Sequence, residues 1–168
     1  KPDLGVSGVL ARREFLEQSL FAAAVGTSFA AGLPAMAAAP ARRAGPNDRL
    51  RVAVVGVKGQ GSVHVGRWAS LGDVDIVALC DPDENVIVGP MNTAEKKTGK
   101  KPVHYKSIRT LLEDKSIDAI SIATPNHWHC LAGIWAMQAG KDAYVEKPLG
   151  HNVFECRKLV ETSRKYDR

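Results

Sequence analysis

The run Arg51-Val52-Ala53-Val54-Val55-Gly56-Val57-Lys58-Gly59-Gln60-Gly61 constrains this chain more than any other stretch. Val52 to Val55 are small or β-branched and apolar without alternation, the pattern of a strand covered on both faces. The strand runs into three glycines within six residues, and a helix is expected over Ser62 to Leu71. Strand, glycine turn and helix in that order open a dinucleotide-binding βαβ unit. Glycines let the backbone turn tightly and approach a pyrophosphate, whose charge rests on the helix N-terminus. The usual G-x-G-x-x-G spacing falls here on Gly56, Lys58 and Gly61, so the middle glycine is replaced and Gly59 lies one residue late.

The next strand supplies a second part of the same unit. Val74 to Cys80 is another buried apolar run and ends at Asp81, twenty residues past Gly61. A carboxylate at that spacing accepts hydrogen bonds from the adenosine ribose hydroxyls and repels a 2′-phosphate, which favours NAD over NADP. A bare turn residue ahead of Pro82 is the competing reading of Asp81.

From Arg49 onward strand and helix patterns alternate, which predicts an α/β fold, a doubly wound parallel sheet with helices on both faces. The segment after Asp81 is the least regular. A helix begins at Glu84, Gly89-Pro90 is expected to interrupt it, and a second piece runs over Thr93 to Thr98. Val103 to Tyr105 reads as a short third strand, Ser107 to Asp114 as a helix, and Ile117 to Ala123 as a fourth strand with Asp118 exposed near its start. Asn126 is placed to cap the following helix, along which Trp128, Leu131 and Trp135 recur on one face until Gly140. Asp142 to Glu146 is the fifth strand. Asn152 and Glu155 form a capping box for a last helix with Val153, Cys156, Leu159 and Val160 as its apolar stripe.

Ahead of this lies a different kind of segment. Ala11-Arg12-Arg13-Glu14-Phe15-Leu16 precedes a mild, Ala- and Gly-rich apolar stretch from Leu20 to Ala39, with small-x-small cleavage sites at Ala35-Met36-Ala37 and Ala37-Ala38-Ala39. Residues 1–39 resemble a twin-arginine export signal, and 40–48 a leader into a domain at 49–168. The expected location is therefore periplasmic or secreted, without a stable membrane span after processing. A folded-cargo route suits a protein that must close around NAD inside the cell.

The +5 formal charge is spread thinly, +2 over residues 1–49 and +3 over 50–168. Without basic runs interleaved with aromatic residues, a nucleic-acid surface is not expected. Cys80, Cys130 and Cys156 lack metal-like spacing and read as buried thiols rather than a disulfide framework.

In an open parallel sheet, ligands bind at the carboxyl ends of the strands. The first strand ends in the glycine turn, the second in Asp81, the fourth in Thr124-Pro125-Asn126-His127 and the fifth in Glu146-Lys147-Pro148. Thr-Pro-Asn-x-x-His after one strand, Glu-Lys-Pro after the next and Leu-Gly-His-Asn-Val at 149–153 resemble the glucose–fructose oxidoreductase, inositol dehydrogenase and MocA family. The resemblance covers roughly 49–168. It implies an N-terminal Rossmann domain holding NAD or NADP, followed in the family by a C-terminal α/β substrate domain, so that this chain is expected to be a truncated piece.

Carried across, the resemblance gives Gly56, Gly59, Gln60 and Gly61 to the pyrophosphate and Asp81 to the adenosine ribose. Thr124, Pro125, Asn126, His127 and His129 would line the middle and nicotinamide end, with Glu146 and Lys147 beside the nicotinamide ribose. Lys147 is the expected catalytic residue, since an ammonium beside a substrate hydroxyl can steady a developing alkoxide or relay its proton. His127 and His129 lack an evident third metal ligand, and His64 and His104 read as structural. The implied reaction is hydride transfer between NAD and a sugar or cyclic polyol hydroxyl. The rivals are an NAD-recycling glycosidase of the same fold and a non-enzymatic nucleotide-binding module. Expected partners are a small sugar or polyol and the twin-arginine export machinery, with self-association into a homo-oligomer left open.

Overall fold

A computed structural model describes residues 49–168; the export-signal and leader expectations for 1–48 lie outside them. Five strands, β1 (Leu50–Val55), β2 (Val74–Cys80), β3 (Val103–Tyr105), β4 (Ala119–Ile122) and β5 (Asp142–Val145), form one sheet in the order β3-β2-β1-β4-β5. All four pairings are parallel. The helices are α1 (Gln60–Trp68), α2 (Glu84–Thr98), α3 (Ile108–Glu113), α4 (Asn126–Gln138) and α5 (Val153–Tyr166). The doubly wound α/β expectation is met.

β1 sits at the centre and is buried from Val52 to Val55. Its alternate side chains enter different cores, as a strand's period of two requires. Val54 joins Val57, Val65, Leu79, Ile87 and Ala94 beneath α1 and α2. Ala53 and Val55 join Leu111, Ile120, Ile122, Ala132 and Ala136 beneath α3 and α4. Strand order reverses direction between β1 and β4, which is where a parallel sheet opens a crevice at its carboxyl edge.

Three local expectations are corrected. Gly89-Pro90 does not interrupt α2, which runs 15 residues from an Asp83 cap to a left-handed Gly99. Pro90 is buried on the same face as Ile87 and Ala94, so burial of that face outweighs the hydrogen bond that proline cannot give. Asn126 does not cap α4; it is the first helical residue, Pro125 precedes it, and no side chain caps the end. The Trp128–Leu131–Trp135 stripe is not the buried face of α4: Trp128 and Leu131 are 42% and 39% exposed. The helix instead buries Cys130, Ala132, Gly133, Ala136 and Met137. Small residues let its backbone lie close, and a Cβ on Gly133 would stand 2.8 Å from Leu159 Cδ1.

Smaller shifts follow the same logic. α1 begins two residues earlier than expected, inside the glycine turn. On α5 Asn152 caps as expected, accepting from Glu155 N, but Glu155 reaches back to His151 N rather than to the Asn152 N–H of a full capping box. Of its stripe Leu159 is buried and Cys156 half-buried, while Val153 and Val160 face outward. Asp118 is half-buried rather than exposed, because Arg51 on β1 grips both its oxygens at 3.0 and 2.7 Å. That guanidinium holds the Asp118 carboxyl below its usual range.

Candidate functional site

The glycine turn closes with positive φ at Gly56 (77°) and Gly59 (57°). The left-handed position thus falls on Gly59, not on Lys58, which accounts for the displaced middle glycine of the motif. A Cβ on Gly56 would approach Thr124 N to 2.8 Å, and one on Gly61 would meet Gly56 O at 1.7 Å. Both positions are closed to any side chain. No side chain caps the N-terminus of α1, and none caps α4. Two helix ends therefore present amide dipoles toward the carboxyl edge of the sheet.

Between them lies a cleft of about 520 Å³, lined by Gly56, Lys58, Asp81, Lys106, Thr124, Pro125 and Trp128 among others. Asp81 is held rigidly in its wall. Its Oδ2 accepts from Val57 N at 3.0 Å and its Oδ1 from Asp83 N at 3.0 Å. Each oxygen keeps a lone pair for a further donor, the arrangement that a vicinal ribose diol needs. Thr124 Oγ1 is buried here with no hydrogen-bond partner, and an orphaned hydroxyl at a cleft is one that a polar ligand can satisfy. The residues present fit a dinucleotide.

The structure brings together Gly56, Gly59, Asp81, Thr124 and Pro125 around the cleft and a smaller hollow beside it. Asn126 and His127 are exposed on the first turn of α4. His129 is buried, and its two ring nitrogens each lie 2.7 Å from a backbone carbonyl, Nδ1 from Pro148 O and Nε2 from Thr124 O. Its nitrogens are thus occupied in tying the β4–α4 loop to the Glu-Lys-Pro segment rather than offered to a ligand.

Gln60 and Glu146 meet directly, Gln60 Nε2 donating to Glu146 Oε1 at 3.0 Å. His64 lies 2.8 Å from the same oxygen through Nε2, and Lys147 N donates to Oε2 at 3.0 Å. These three contacts, His64 first, push the Glu146 carboxyl down to about 2, so it is ionised at neutral pH. Lys147 itself is exposed on the segment that follows β5.

Lys106 and Trp128 line the cleft and His64 contacts Glu146, although Lys106 is not singled out in the sequence, Trp128 reads there as part of a helix stripe and His64 as structural. A signal for His64 existed: it falls on the buried face of α1 with Gly61 and Val65, and a buried polar group needs partners. Nothing local marked Lys106 or Trp128. Cys80 and Cys130 are buried, which raises their thiols to about 12 and about 11, while Cys156 is half-buried.

A parallel sheet in this order, with a glycine turn and a strand-end acid at its crevice, defines a dinucleotide-binding Rossmann domain. The family described as "Oxidoreductase family, NAD-binding Rossmann fold", Gfo/Idh/MocA, matches residues 50–168, and the chain belongs to it. A glycosyl hydrolase family 109 protein of Shewanella pealeana is 34% identical over 93% of this chain and 37% of its own length. Myo-inositol 2-dehydrogenase from Lactobacillus plantarum superposes with a TM-score of 0.61 and 28% identity, covering 70% of this chain and 34% of that one. GenD2 of gentamicin A biosynthesis, solved in complex with NAD, gives 0.62 and 27%, covering 71% and 33%. The chain thus spans about a third of the length of these relatives.

Proposed function

We propose that this chain is the cofactor-holding part of an NAD-dependent enzyme that moves hydride between the nicotinamide ring and a hydroxyl-bearing carbon of a sugar or cyclic polyol. The observation that carries the reading is Asp81, a carboxylate fixed by two backbone amides at the crevice, with lone pairs left for ribose hydroxyls. The turn at Gly56, Gly59, Gln60 and Gly61 would hold the pyrophosphate on the uncapped start of α1. Thr124 Oγ1, Pro125, Asn126 and His127 would border the middle of the cofactor, with Glu146 and Lys147 toward its reactive end. His129 serves this site by fixing the loop that carries Thr124. Bound NAD would supply the hydride acceptor. Lys147, as its neutral amine, would take the proton of the substrate hydroxyl as hydride leaves the carbon, and return it in reverse.

A family 109 relative favours a second reading. Hydride exchange run forward and back across an elimination would cleave a glycosidic bond with no net redox. The twin-arginine pattern supports export to the periplasm, where a retained cofactor suits either chemistry.

The test is turnover of a panel of polyols and aryl glycosides by the full-length protein, wild type and Lys147→Ala. A substrate-dependent rise in NADH absorbance supports the dehydrogenase, and aglycone release without it supports the glycosidase. In either case Lys147→Ala should lower kcat by about 10²–10⁴ while still binding NAD. Unchanged kcat in that variant would remove Lys147 from the chemistry.

A further inference from the structure

Ser121, His64 and Glu146 form a buried line that resembles a hydrolytic triad, yet Ser121 is wholly buried in β4 and cannot meet a substrate. Its hydroxyl has another task. Trp68 Nε1 donates to Ser121 Oγ at 3.0 Å, and His64 Nδ1 lies 2.9 Å from the same oxygen. Glu146 is ionised and can only accept, so the proton between them sits on His64 Nε2. Ser121 O–H is then free to donate to Nδ1, and every member of the line is satisfied with the ring as its Nε2–H tautomer.

The line does not stop at the carboxylate. Glu146 Oε2 accepts from the backbone N–H of Lys147 at 3.0 Å. Oε1 also accepts from Gln60, in the glycine turn. One carboxylate therefore joins the core of β4, the phosphate turn and the backbone of Lys147. The Tyr144 ring stands edge-on to both His64 and Trp68, with centroids 5.6 and 6.0 Å away, and restricts the imidazole further.

We propose that His64 is a positioning residue for Lys147, acting through the Glu146 carboxylate. The inference rests on the reading of Lys147 as the group that handles the substrate proton. His64 touches neither substrate nor cofactor in this scheme; it fixes the backbone from which the Lys147 side chain springs. The ring is buried against the Ser121 hydroxyl, the Glu146 carboxylate and the Tyr144 ring, so an apolar residue of similar size could replace it if filling space were its whole role.

The full-length protein, labelled with carboxyl-¹³C glutamate and ¹⁵N lysine, tests this by NMR, with Glu146→Gln and Lys147→Arg giving the assignments. In His64→Leu the Glu146 carboxyl should titrate higher, moving from about 2 toward its ordinary value of 4.5. The Lys147 amide should shift and exchange with solvent severalfold faster. His64→Gln, which keeps a donor for Glu146, should restore both. NAD affinity by calorimetry is read alongside and should stay within about threefold, since His64 itself contacts no part of the cofactor in this scheme. If His64→Leu does not fold, Ser121→Ala must move the Lys147 amide in the same direction by a smaller amount. An unmoved carboxyl and amide would overturn the inference. Wild-type protein that binds no NAD while these signals respond would instead overturn the dinucleotide reading alone.

Discussion

The carboxylate of Asp81 and the backbone N–H of Val57 are joined by a 3.0 Å hydrogen bond. The acid at the end of β2 is thereby fastened to the glycine turn at the end of β1. The two features that suggested a dinucleotide in the sequence are one unit in the fold. The part of the molecule that would grip a ribose is held by the part that would grip a pyrophosphate.

That unit tolerates no side chain at two of its glycines. Gly61→Ala would drive a methyl to 1.7 Å from Gly56 O, and Gly56→Ala would combine a 2.8 Å contact to Thr124 N with a φ of 77°. Overpacking against movable side chains costs about 1–3 kcal/mol, and here the obstacle is backbone. Urea unfolding should show a loss at or above that range for both, and calorimetry should show NAD binding abolished. Gly59→Ala meets nothing within 4 Å and is strained only by its φ of 57°. It should be the mildest of the three.

The His129 contacts predict a stability effect without a change of charge at the surface. His129→Phe keeps the ring volume and takes the imidazole away from Thr124 O and Pro148 O, leaving the carbonyl that accepts its N–H without a donor. An unsatisfied buried acceptor costs about 1–3 kcal/mol. The midpoint of denaturant unfolding should fall accordingly, and NAD should bind more weakly because the Thr124 loop is released. An unchanged midpoint would show that water replaces the imidazole at both carbonyls.

Acid sensitivity follows from Glu146. Its carboxyl is lowered in the fold from 4.5 to about 2, with His64 the largest cause. A group so depressed contributes stability that is fully present above the unfolded value. The contribution is lost as pH falls from about 4.5 toward 2. Asp118, depressed by Arg51, and Asp114, depressed by Ser116, act with the same sign. Urea midpoints measured stepwise from pH 6 to pH 2 should fall with acid, and the fall should be shallower in Glu146→Gln.

Thiol chemistry should separate the cysteines. Burial raises Cys80 to about 12 and Cys130 to about 11, so near neutral pH neither carries appreciable thiolate. Iodoacetamide on the native protein, read by mass spectrometry, should label Cys156 first and the other two only after unfolding. Rapid labelling of Cys80 would contradict the packing of β2.

The sheet was legible because its central strands are short runs rich in apolar residues that end in a glycine turn or a polar residue, and Val74–Cys80 and Val103–Tyr105 fall where the pattern places them. The helices were less so. Pro90 reads as a break because its backbone chemistry is local, whereas its burial depends on residues far away in the chain. In α4 the large apolar residues drew attention, but contact distance selected the small ones, Ala132, Gly133 and Ala136. In the site, the strand-end rule brought Asp81, Thr124 and Pro125 to one cleft. It could not foresee Trp128 or Lys106 there, nor that His129 would turn inward. Those depend on how loops fold back, which no spacing encodes.

The most direct measurement is calorimetric titration of the full-length protein with NAD and with NADP, wild type beside Asp81→Ala. NAD should bind at least about tenfold more tightly than NADP, a difference of about 1.4 kcal/mol, and Asp81→Ala should erase the preference. Equal affinity for both nucleotides in the wild type, or a preference that survives the loss of Asp81, would contradict the placing of the ribose on that carboxylate.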